Sequence, residues 1–137
     1  MEIRKLGESV SINSDHANIL IFPDKKSETL GDWNVVLGGS FGVMGIVSPG
    51  EYESHEIWVM AFNTDPGEKV NNVYLAVVDG VRIAVMESNV AKLTAAQISK
   101  LGIVDVIVVN KSAELKNLEE NVSQIEPQMI IPVGYTA

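Results

Sequence analysis

The chain has 137 residues, no cysteine, a formal net charge of -8 and 46% hydrophobic residues. That length and apolar content suit one compact domain with a core and argue against disorder. The missing cysteines exclude disulfides, thiolate nucleophiles and cysteine-based zinc or iron–sulfur sites. The acidic balance, with 10 Lys and Arg in all, argues against a nucleic-acid surface that would displace counterions.

The N-terminus, MEIRKLGESVSI, has neither the long apolar core nor the small-residue cleavage site of a signal peptide. No apolar run approaches the roughly 20 residues of a membrane span. The expectation is a soluble cytoplasmic protein. The first two-thirds then read as strand: Glu2–Leu6, Ser9–Ile12, Ala17–Phe22, Trp33–Leu37, Gly42–Val47, Ile57–Phe62, Val73–Val78 and Val81–Met86. Asp79-Gly80 between the last two is the favoured two-residue hairpin turn, because both positions need φ > 0. SPGEYESHEIWV at 48–59 reads as a Pro-Gly turn running into a strand-like stretch.

Helix signals begin after residue 93. In LTAAQISKLG, Thr94 can cap, Gln97 completes the capping-box spacing, Leu93 and Ile98 form a hydrophobic staple and Gly102 is a natural stop. A strand at Val104–Val109 follows. Leu115, Leu118, Val122 and Ile125 then recur at helical spacing until Pro127, and a last strand covers Gln128–Pro132. Two helices can cover only about one of two packed sheets. NVVLGG and GVMGIV look apolar on both faces. The bare sheet is therefore expected to meet a second copy of the chain, most simply as a dimer, the alternative being that long loops of the chain cover it.

The candidates for chemistry are few. His16 and His55 each lack a partner at the offsets of a helical metal motif. Glu51, Glu53 and His55 could share one face of a strand and converge on a cation, although a soft divalent ion wants more imidazole or thiolate; the plainer reading is a solvated edge strand. GGSFG at 38–42 has the glycine spacing of a nucleophile elbow around Ser40, but no helix follows it and no histidine follows residue 55. As a phosphate loop it lacks both lysine and helix. Glu87, with Ser88 and Asn89, closes a hairpin strand and could point into a cleft, and a remodelled enzyme site would draw on Ser40, Glu87, Ser88 and His55. Trp33 and Trp58 read as packing residues.

Taken in order, IRKLGESVSI at the start, VSPGEYE at 47–53, NVYLAVVDGVRIAVM at 72–86, LTAAQISKLGIVDVIVV at 93–109 and VSQIEPQMIIPVGY at 122–135 resemble the metallo-β-lactamase fold superfamily. Within it they resemble the branch of small zinc-dependent hydrolases that includes ascorbate-6-phosphate lactonase-like proteins. The resemblance covers nearly the whole chain and implies a shortened α/β sandwich of two mixed sheets, residues 1–137 forming one domain with its helices mainly on the C-terminal sheet. Relatives of this kind hold one or two metals through an HxHxDH loop, a later histidine, an aspartate after the hairpin and a final histidine, and the metal acidifies a bound water. Here GGSFG stands at the loop, AFNTDPG at the later histidine, Ser88 at the aspartate and Gly134 at the final histidine. Serine and glycine cannot hold Zn²⁺. The resemblance thus implies a non-catalytic binding or assembly module without catalytic, cofactor or metal residues and with a small-molecule ligand unidentified, while charge and hydropathy argue for no nucleic-acid or membrane partner. The alternative is a hydrolase with a remodelled site, metal-free or using non-family ligands.

Overall fold

The computed structural model describes residues 1–23, 31–38, 45–46, 49–64, 72–87, 90–110 and 115–133. Eleven strands and two helices are assigned among them. The first sheet holds β1 (Glu2–Leu6), β2 (Ser9–Asn13), β3 (Asn18–Ile21), β4 (Val35–Leu37) and β5 (Gly45–Ile46), in that spatial order. The second runs β11–β10–β9–β8–β7–β6, from β6 (Gly50–Ser54), β7 (Ile57–Asn63), β8 (Asn72–Val78), β9 (Val81–Met86), β10 (Val106–Asn110) and β11 (Met129–Val133). Both sheets are mixed: β3–β4, β4–β5, β9–β10 and β10–β11 pair in parallel. The N-terminal strands are therefore less uniformly antiparallel than their short spacing suggests.

Alternation along each strand assigns the layers. Val10, Ile12, Ile19, Ile21, Val35 and Leu37 from the first sheet meet Ile57, Val59, Ala61, Tyr74, Ala76, Ile83, Val85 and Val108 from the second, forming one inter-sheet core. The other face of the second sheet, with Val73, Leu75, Ala84, Met86, Ile107 and Val109, packs under helices α1 (Ala95–Leu101) and α2 (Leu115–Ile125). The result is three layers: a first sheet bare of helices, a second sheet, and the two helices of the described residues.

Local chemistry explains the elements. Thr94 caps α1 through its side chain, and Gln97 returns the bond, so the expected capping box forms. At the other end Arg82 donates from Nε to the carbonyl of Ile103 and from Nη2 to that of Leu101, each at 2.7 Å. A cation at a helix C-terminus also suits the dipole. The Asp79-Gly80 turn has φ of 50° and 78°, as expected of its type. In α2, Asn121 is fully buried beside Leu118 and Val122. Its Oδ1 accepts from the amide of Leu93 at 2.8 Å, and its Nδ2 donates to the carbonyl of Ala91 at 3.0 Å, so one carboxamide ties α2 to the lead-in of α1.

The outer face of the bare sheet carries Arg4 beside Ser11, and Asn13 beside Asn18. Its outward apolar residues Leu20 and Val36 are only 0% and 8% exposed within this chain. The argument for a partner from NVVLGG therefore loses Val36, which the chain itself already covers. The sheet edges are protected by charge and proline. Glu51 and Glu53 are exposed on edge strand β6, a common guard against edge pairing. On β11 the amide of Met129 donates inward to Asp105. By alternation Ile131 and Val133 also face β10, which leaves Pro132 at the open edge with no N–H to offer.

Candidate functional site

The two sheets bring different residues together at their two ends. At one end, where β4 and β9 finish and β8 begins, Glu87 is 6% exposed and accepts at Oε1 from the amide of Asn72 at 2.9 Å. The backbone amide of Glu87 in turn donates to the carbonyl of Asn72 at 3.1 Å. Asn72 Nδ2 donates to the hydroxyl of Tyr74 at 3.2 Å. Gly38, at the end of β4, closes this group: a Cβ there would stand 3.3 Å from Glu87 Oε2, and its φ of 74° suits glycine.

Burial pushes the Glu87 carboxyl above its ordinary range, and hydrogen bonds from the Asn72 backbone and side chain hold back part of that rise. Burial likewise pushes the Tyr74 phenol up; the charge of Glu87 adds to the rise, and the hydrogen bond with Asn72 opposes it. Glu87 is thus a carboxyl enclosed in protein hydrogen bonds rather than the cleft-facing acid its place after the hairpin suggested. Asn72 and Tyr74 escaped the reading because each lies within an apolar strand. A polar residue at the mouth of such a strand is the available signal.

At the opposite end, His16 in the β2–β3 turn lies 2.8 Å through Nδ1 from Glu56 and 3.6 Å through Nε2 from Asp79. These contacts join three turns of the two sheets at the surface. His55 occupies the β6–β7 turn with Glu56, at φ of 50° and 65°, and its Nδ1 is 2.7 Å from Ser54 Oγ. His55 is therefore a turn residue and does not continue the face of Glu51 and Glu53, so the proposed three-residue cation face does not form. SPGEYESHEIWV is a hairpin edge whose Gly50 begins β6. His55 and Glu87 stand at opposite ends of the second sheet, about 20 Å apart along the strands. They cannot share one cleft. Ser40, Ser88, Asn89 and Gly134 lie outside the described residues.

The donor set does not fit the metal centre that the resemblance implies. That centre rests on imidazoles, and the chain has two histidines and no cysteine. Both histidines lie at the end away from Glu87. Among the described residues no group of three His, Asp or Glu could hold a metal ion. Glu87 is enclosed and committed to the Asn72 amide, so no step through a metal follows for these residues.

On the outer face of the bare sheet lies a half-open cavity of about 380 Å³ lined by Arg4, Leu6, Ser11, Asn13, Asn18, Gly31 and Trp33. Trp33, expected only to pack, forms part of its wall. Trp58 packs beside the helix-side core, as expected.

No family model matches the chain, and no curated protein matches it either. The fold does match a crystal structure from Thermotoga maritima assigned to the zinc-dependent hydrolases of the metallo-β-lactamase superfamily. The TM-score is 0.78 with 20% sequence identity, over 98% of this chain and 76% of that one. The chain therefore has a metallo-β-lactamase-like fold, with the two helices of the described residues on the C-terminal of two mixed sheets. Among the described residues, no helix is long and apolar enough to cross a membrane.

Proposed function

We propose that this chain is a non-catalytic protein that keeps a shortened metallo-β-lactamase fold as a binding or assembly module. One observation carries the reading. At the end of the sandwich where Glu87 closes β9, the chain brings no imidazole or thiolate, because both of its histidines sit at the opposite end. The enclosed acid there already accepts the Asn72 amide. The likeness to the ascorbate-6-phosphate lactonase-like branch rests on the sequence stretches alone. In this reading residues 1–137 act as one domain in the cytoplasm. The bare sheet is the working surface, for a second copy of the chain or for a small molecule.

A remodelled hydrolase is the second reading, and the buried setting of Glu87 favours it: burial pushes this carboxyl above its ordinary range, the direction that suits a general acid. Elemental analysis of protein purified without chelators, together with hydrolysis assays on lactone, ester and phosphodiester panels, separates the two. The module reading expects negligible Zn, Fe, Mn or Ni per chain and no turnover. Stoichiometric metal, or turnover abolished by Glu87→Gln, would overturn it. Sedimentation across a concentration series tests whether the bare sheet pairs with a second copy.

A further inference from the structure

We infer that the cavity on the outer face of the bare sheet is a binding site for a neutral saccharide. This deepens the binding-module reading and rests on it for the absence of turnover. The cavity of about 380 Å³ falls near the lower end of the roughly 300–1,000 Å³ usual for small-molecule sites.

Strand register builds its floor. Val10 and Ile12 face the inter-sheet core, so Ser11 faces outward with Arg4 directly beside it. Asn13 and Asn18 stand opposite one another on the same face. Ser11 is 2% exposed, and among the described residues no hydrogen bond engages its hydroxyl. A buried hydroxyl on the floor of a cavity retains a donor and acceptors for an incoming group. Asn18 is held in place from both sides: its backbone amide donates to Asn34 Oδ1 at 2.8 Å, and its Nδ2 donates to the carbonyl of Asp32 at 3.2 Å. This pre-sets the polar floor rather than leaving it to order on binding.

The wall supplies the apolar half. Trp33 and Leu6 line the cavity with these polar groups. Gly31 lies against the indole, where an added Cβ would stand 3.4 Å from Cζ2. A pyranose has this same division, with an apolar face of C–H groups and a rim of vicinal hydroxyls that both donate and accept. Serine and asparagine side chains match such a rim, because each can also do both. An anionic ligand fits less well: the one guanidinium lining the cavity is paired with Glu2, and the chain carries a net charge of -8.

The test is an NMR titration of the full, isotope-labelled chain with glucose, galactose, mannose and N-acetylglucosamine, and separately with inorganic phosphate and adenosine. At least one sugar is expected to move the amides of Arg4, Ser11, Asn13 and Asn18 and the indole N–H of Trp33, saturating in the millimolar range. Trp33→Ala should abolish these shifts. Because that variant removes packing as well, Asn13→Ala serves as a second, and should weaken binding about tenfold through one lost hydrogen bond. The inference fails if no sugar shifts these signals, if phosphate or adenosine shifts them instead, or if sugar shifts persist unchanged in both variants. Metal content and hydrolysis read the module proposal independently, so the two can fail separately.

Discussion

The two ends of the sandwich hold similar chemical groups in opposite circumstances. At one, Glu87, Asn72 and Tyr74 are sealed between sheets and bonded to one another. At the other, His16, Glu56 and Asp79 meet at the surface, with His16 about half exposed. Burial raises the stakes of a polar contact because a severed partner cannot turn to water. Solvent makes the exposed cluster cheap to lose. The fold thus spends its polar chemistry on closure at one end and leaves a loose surface clasp at the other.

The comparison sharpens first at a third polar group that is also enclosed. Asn121→Ala should cost about 2–4 kcal/mol in urea unfolding, since it strands the Leu93 amide and the Ala91 carbonyl beside the helices. Arg82→Ala should cost about 1–2 kcal/mol by uncapping α1, measured in the same way. A loss from either variant no larger than that of a surface pair would break the contrast.

Glu87→Gln tests the sealed end through pH. A carboxyl whose folded pKa is raised binds its proton more tightly in the native state, so its contribution to stability falls as pH rises from the ordinary value of 4.5 through the folded one. Gln keeps an acceptor for the Asn72 amide without the charge. The variant should therefore be more stable than the parent near neutral pH, and the gap should close below pH 4.5. Thermal melts across that range check the sign. The smallest effect belongs to His16→Ala, at most about 0.5–1 kcal/mol, as for other exposed polar pairs. A larger loss would show that the clasp is more than a surface contact.

Features set by neighbours in sequence were legible. The Asp79-Gly80 turn needs only its own two residues, and the Thr94–Gln97 box needs only four. The Leu118, Val122 and Ile125 stripe of α2 followed from helical period. Features set across the fold were not. Arg82 reads as an ordinary strand residue until Leu101 and Ile103 are placed above it. Asn121 falls on the apolar stripe of its helix, a hint that a buried carboxamide has backbone to satisfy. His55 reads as strand because neither His nor Glu is a usual turn former, yet His55-Glu56 adopts two consecutive positive φ values. The distance between His55 and Glu87 follows from the three antiparallel strands β7, β8 and β9 between them, an odd number that leaves the two residues at opposite ends of the sheet.

Pro132 gives the molecule a direction of growth. Backbone added beside β11 would find no amide at that position, and backbone added beside β6 would meet Glu51 and Glu53. Crowded at high concentration, the second sheet should resist lengthening sideways into a ribbon at either margin. Growth from that sheet would stop at a single molecule's width.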